Sequence, residues 1–116
     1  MATLNMNRSY SLDTQTIDKV ITKKSAGNYA LGKKNSKGTF LVSYVGRSDI
    51  DLNQRLKQWA KESDLPLFKY SYATSPKLAF EKECKNYHDF TPTRNEIHPD
   101  RPNGANWKCP VCDIFD

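Results

Sequence analysis

No stretch of this 116-residue chain approaches the roughly 20 consecutive apolar residues that a bilayer-spanning helix requires. The residues from Met1 to Leu12 are polar and hold no apolar core of a secretory signal, so the chain is expected to be intracellular, cytoplasmic or nucleoid-associated, and not secreted. Cysteine is scarce: three residues cannot all pair, and nothing else points to an oxidising compartment. There are no internal repeats and no low-complexity runs. No recognition helix, basic zipper or RNA-binding aromatic signature is present either. Membrane, secreted-scaffold and repeat classes thus drop out, and the length predicts one domain with one hydrophobic core.

What the chain does have is positive charge, a formal +5 at neutral pH. A basic surface on a small domain favours a polyanionic partner, because lysine and arginine displace the counterions condensed on phosphates. Along the chain, Asp13 caps a short helix with Ile17, Val20 and Ile21 on one face. Gly27 to Leu31 reads as a strand, residues 32–38 as a turn, and Thr39 to Val45 as a second strand rich in β-branched and aromatic residues. The stretch Gly46-Arg47-Ser48-Asp49 is expected to break that strand. A helix follows from Leu52 to Lys61, then a strand from Leu67 to Ala73. Ser75-Pro76 starts a last helix that runs to about His88, with a cap residue followed by proline at the first helical position. This order predicts an α/β (α+β) domain: a small three-stranded mixed or antiparallel central sheet flanked by helices. Residues 1–24 form an N-terminal segment with the short helix, 25–97 the main domain, and 98–116 a tail packed on it.

Gly27-Asn28-Tyr29 on the first strand and Tyr44-Val45-Gly46 on the second resemble the two tripeptides that name the GIY-YIG nucleases. Arg55, in Leu52-Asn-Gln-Arg55-Leu56, is similar to that family's helix arginine. Glu83, in Ala79-Phe-Glu-Lys-Glu83, resembles its Ala-x-x-x-Glu, and Pro92 and Asn95 follow at matching offsets. The resemblance spans roughly residues 25–97. It implies hydrolysis of a nucleic-acid phosphodiester, in DNA ahead of RNA, with one Mg²⁺ or Mn²⁺ held by Glu83. It gives Tyr29 the part of general base, Tyr44 that of orienting water or phosphate, Arg55 a phosphate contact, and Asn95 a bracing hydrogen bond. Glu81 is the alternative acidic residue. These types suit the chemistry: a lone carboxylate holds Mg²⁺ when waters and a phosphate complete the octahedron. Arginine's donor fork matches a phosphate oxygen pair, and a phenol with its ordinary pKa near 10 needs a cationic setting to act as a base at neutral pH.

Cys84 and His88 lie four apart and project from one helix face, while Cys109-Pro-Val-Cys112 forms a knuckle that can present two thiolates. Together they make a Cys₃His set of the kind that closes tetrahedrally on structural Zn²⁺, stapling the tail to the last helix. His98 is the substitute ligand should His88 face solvent. Arg47, Lys33 and Lys34, with other lysines around the hairpin, are the expected phosphate-contacting residues. A metal-dependent endonuclease is therefore expected first. A zinc-stabilised nucleic-acid-binding module with weak or no turnover comes second, and a protein-interaction module built on the tail third. No separate targeting segment is visible, which leaves that task to a protein partner.

Overall fold

The computed structural model describes Leu4, Met6 and residues 8–95 and 98–115; the domain boundary expected at Ile97 lies outside the described residues. The elements run β1 (Tyr10–Ser11), α1 (Thr14–Val20), β2 (Gly27–Lys34), β3 (Phe40–Ser48), α2 (Leu52–Glu62), β4 (Leu67–Tyr72) and α3 (Pro76–Phe90). The sheet has four strands in the order β1-β4-β2-β3, every pair antiparallel. The expectation of three strands, mixed or antiparallel, is corrected in the count, since β1 adds a fourth; of the two arrangements expected, the sheet is the antiparallel one. β1 is only two residues long and pairs Tyr10 with Phe68 and Ser11 with Leu67.

The helices start where side chains satisfy their free N–H groups. Asp13 accepts from Thr16 N at 2.7 Å, Asp51 from Gln54 N at 3.2 Å, and Ser75 Oγ from Leu78 N at 3.2 Å, with Pro76 in the first turn of α3. α1 and α2 cover one face of the sheet, burying Ile17, Ile21, Leu52 and Leu56 against Tyr29, Leu31 and Phe68. α3 covers the other face, where Ala30 and Val45 meet Tyr87 and Phe90. A third cluster joins α3 to the tail: Phe80, Cys84 and Cys109, with Trp107, Cys112 and Phe115 against them.

β3 runs further than expected. Gly46, Arg47 and Ser48 do not break it but stay in register with Tyr29, Asn28 and Gly27 of β2. β3 is an edge strand, and its outer side is covered at Ser43–Val45 by the segment after α3. Arg94 N donates to the Ser43 carbonyl at 2.9 Å. Val45 N–H donates to Asn95 Oδ1 at 2.8 Å, and Asn95 Nδ2 donates back to the Val45 carbonyl at 3.0 Å. Satisfying edge groups in this way removes a template for aggregation and fixes the strand.

Candidate functional site

Opposed residues of an antiparallel pair lie on the same face of a sheet. Tyr29 is paired with Gly46, and Leu31 with Tyr44. Both tyrosine rings therefore rise on the α2 side, stacked with centroids 6.3 Å apart. On the other side Asn28 is paired with Arg47, facing α3. Gly46 carries no side chain between them, and at that notch in the edge strand the residues of both faces converge. A Cβ at Gly46 would meet the Tyr29 hydroxyl at 2.4 Å and its ring carbon Cζ at 2.5 Å. The result is an open cleft of about 210 Å³ lined by Tyr29, Tyr44, Gly46, Arg47, Asp49, Arg55 and Glu83.

Four of the five expected catalytic residues, Tyr29, Tyr44, Arg55 and Glu83, thus line one cleft. Glu81 is not among the lining residues. The fifth, Asn95, stands outside the lining and holds both backbone groups of Val45, the residue between Tyr44 and Gly46. Arg47, expected as a phosphate contact, lines the same cleft. It sits on β3 inside the cleft, where Nη1 donates to Glu83 at 2.5 Å and Nε to Asp49 at 2.9 Å. Lys33 and Lys34 lie at the exposed far end of β2. They are four and five residues on from Tyr29, so about 13–17 Å along the strand.

The electrostatics follow from burial. Tyr29 is fully buried; desolvation and the neighbouring Tyr44 push its phenol up, while Arg55 and the Trp59 N–H pull the other way. Trp59 Nε1 donates to the Tyr29 hydroxyl at 2.6 Å. Tyr44 is raised as well, by burial and then by Glu83. The depressed phenol that a general base needs is therefore absent from the metal-free chain, and Tyr29 rests as a neutral phenol. Burial raises Glu83 too, and Arg47 offsets this only in part. Burial works against the charge of Arg47, but Glu83 and Asp49 outweigh it and raise its pKa.

The sequence pattern pointed to neither Asp49 nor Trp59 as part of the site, yet Asp49 lines the cleft and Trp59 bonds Tyr29. Trp59 stands four residues after Arg55 on α2, so their side chains share a helix face, and Arg55 lies over its ring at 5.7 Å. Arg47 and Asp49 are two apart, which in a strand end means one side; that spacing was a signal available from the sequence.

A second group lies at the far end of α3. His88, His98, Cys109 and Cys112 bring one ligand atom each to within 4.8 Å of one another and can hold a metal ion. His88 Nε2 and His98 Nε2 are 3.2 Å apart, and Cys112 Sγ is 3.4 Å from His98 Nε2. His98 Nδ1 lies 2.8 Å from the Pro99 carbonyl. A carbonyl only accepts, so Nδ1 carries the proton and Nε2 is left with a free lone pair. Burial would raise the Cys109 thiol, but the N–H groups of Val111 and Cys112 and the His98 ring outweigh it and bring it down to about 6.

The expected ligand set is corrected at one place: Cys84 is outside the group, and His98 joins His88 rather than replacing it. Cys84 is fully buried. It packs with Phe80 and Cys109, and burial, then Cys109, push its thiol up. A thiol so placed resists becoming the thiolate that a metal takes.

No protein-family model, curated protein or solved structure matches the chain. Among the described residues no helix is long and apolar enough to cross a membrane.

Proposed function

We propose that the cleft is the active site of a metal-dependent phosphodiesterase acting on nucleic acid, DNA ahead of RNA, as the resemblance to GIY-YIG nucleases implies. The observation that carries this reading is the convergence of Tyr29, Tyr44, Arg55 and Glu83, from β2, β3, α2 and α3, on one open cleft. Residues scattered over the chain for reasons of solubility or packing have no cause to meet there.

The donor set suits a hard divalent cation. Glu83 and Asp49 are the two carboxylates of the cleft, and Mg²⁺ or Mn²⁺ takes one or two carboxylates and completes its shell with waters and phosphate oxygens. Held by Glu83, the ion supplies Lewis-acid polarisation of the phosphate and positive charge near the phenols. The chain's own residues do the rest. Arg55, exposed at the rim, offers its fork to a phosphate oxygen. The Tyr29 oxygen receives the Trp59 N–H, with the Arg55 charge close by. Its own proton is then free to point at a water or phosphate oxygen in the cleft. Tyr44 stands beside it as a second hydroxyl, and Asn95 holds the strand that carries Tyr44 in place.

A second reading is a nucleic-acid-binding module of the same architecture with little turnover. It is favoured by the engagement of Glu83 with Arg47 and by the raised phenols. Cleavage of labelled single-stranded, duplex and branched DNA and of RNA, with Mg²⁺ or Mn²⁺ and with EDTA, separates the two. Metal-dependent cutting that disappears in folded Glu83→Ala and Tyr29→Phe is the expected result. Salt-sensitive binding without cutting would replace the enzyme by the module.

For the second group we propose a structural Zn²⁺. Two imidazoles and two thiolates at tetrahedral zinc, with Zn–N near 2.05 Å and Zn–S near 2.3 Å, stand about 3.3 Å apart for N···N and about 3.5 Å for N···S. The distances in this chain, 3.2 and 3.4 Å, lie close to both. One zinc per chain by elemental analysis is expected, lost in Cys112→Ser and kept in Cys84→Ser. Loss in Cys84→Ser, with zinc kept in His98→Ala, would restore the Cys₃His set.

A further inference from the structure

Phe80, Cys84 and His88 recur at intervals of four along α3 and so form one stripe, the stripe that faces the tail. Its last member belongs to the four-ligand group. Its first, Phe80, is fully buried and touches two parts of the molecule at once. Trp107 and Phe115 of the tail lie with ring centroids 5.7 and 5.8 Å from it. The guanidinium carbon of Arg47 lies over the same ring at 5.2 Å. Arg47 is the residue that holds Glu83 and Asp49. A continuous contact therefore runs from the tail, through one aromatic ring, to the acidic residue of the cleft.

Each link has a physical reason to be sensitive. An arginine side chain is long and rotameric, and it stays in one geometry only where its planar head is packed and bonded. The Arg47 side chain is 13% exposed, so its packing comes from the protein, and Phe80 supplies a face for its cation. On its other side Phe80 packs against the tail rings of Trp107 and Phe115. The tail has no helix or strand among its described residues. What joins it to α3 is the four-ligand group and the Phe80 cluster; within the tail, Arg101 donates to the Trp107 carbonyl at 2.7 Å and lies over Phe115 at 4.7 Å.

We infer that Phe80 is a positioning residue that makes the cleft conditional on the docked tail: Trp107 and Phe115 fix its ring, the ring seats Arg47, and Arg47 holds the Glu83 carboxylate. Release of the tail unseats Arg47 and leaves Glu83 without its partner. The effect on rate rests on the hydrolase reading; the position of Arg47 does not.

The test uses the full chain loaded with one equivalent of zinc, in the wild type, Trp107→Ala and Trp107→Phe, with zinc content measured in each. The Arg47 side-chain Nε–H is read by nitrogen–proton NMR, assigned by its loss in Arg47→Lys. Backbone amides of β2 and β4 report that the sheet is intact. In the wild type the Nε–H bonded to Asp49 gives a slowly exchanging signal. Trp107→Ala, still holding zinc, is expected to lose it, and Trp107→Phe to keep it. Phe115→Leu serves in place of Trp107→Ala should that variant fail to fold. Single-turnover cleavage falls in parallel by about 10²-fold, the scale of an ångström's misplacement of a reacting group, with KM for substrate unchanged and recovery in Trp107→Phe. A zinc-loaded, folded Trp107→Ala that keeps the Arg47 signal overturns the inference. A wild type that cuts nothing overturns the hydrolase reading alone, since the Arg47 signal still decides this one.

Discussion

At Gly46 a missing Cβ bears directly on the cleft. The Tyr29 ring occupies the space that a side chain there would fill, and the nearest three atoms are all of that ring. Tyr29 is fully buried and tied to Trp59, so the ring cannot simply swing aside. Gly46→Ala is expected to cost about 1–3 kcal/mol, the range for one forced methyl in a packed site, and to change the near-UV tyrosine signal. A variant with wild-type urea midpoint and spectrum would show that the notch relaxes freely. Glu83 carries the opposite lesson, a buried charged group whose ionised form stability does not favour. Burial raises its folded pKa above the ordinary carboxylate value despite Arg47. A raised pKa means that the folded chain binds this proton more tightly than the unfolded chain. The contribution of Glu83 is therefore full below its unfolded pKa and is lost as pH rises through its folded pKa. In metal-free buffer Glu83→Gln should match or exceed the wild type in urea midpoint at neutral pH. That advantage should shrink as pH falls through the range in which Glu83 takes up its proton. A wild type that leads most at neutral pH would mean that pairing with Arg47 outweighs burial.

At the scale of elements, the helices were legible because their starts are chemical. Asp13, and Ser75 followed by Pro76, mark N-termini by what their side chains can accept, and α1 and α3 begin there. Ser75→Ala removes the bond to Leu78 N and is expected to cost about 1 kcal/mol. Thermal unfolding monitored by circular dichroism reads this, and an unchanged midpoint would assign the start of α3 to Pro76 and packing alone. The strands were less legible. β1 has two residues, too few for a period of two to show; it exists because β4 offers it an edge. The end of β3 was hidden because glycine and serine are turn residues by habit. Only the pairing with Gly27–Tyr29, a long-range fact, keeps Gly46–Ser48 extended. The same error put Arg47 outside the strand that carries it into the cleft.

For the whole molecule, the metal group was half legible. The Cys109–Cys112 knuckle and His88 were visible as spacing, but that Cys84 stays out and His98 joins His88 turned on how the tail folds back, and no local spacing encodes that. The fold-back also gives the molecule unequal parts. The clusters around Tyr29 and around Ala30 are built from the sheet, the helices and the N-terminal residues Leu4 and Met6. Among the described residues the Phe80 cluster alone takes members from the tail. Metal binding is folding free energy where the site closes a segment that lacks its own core. Stripping the metal with a strong chelator at neutral pH is therefore expected to act locally. Trp107 should shift its fluorescence to the red and gain access to quenchers, while amide protons of the β2–β3 and β2–β4 ladders keep most of their exchange protection. Trp59, anchored to Tyr29, is the second tryptophan in the signal, and Trp59→Phe isolates the tail's contribution. Restoring zinc should reverse the shift with one equivalent per chain. Loss of ladder protection in step with the fluorescence would make the metal a condition for the entire fold, and the sheet and tail would then be one cooperative unit.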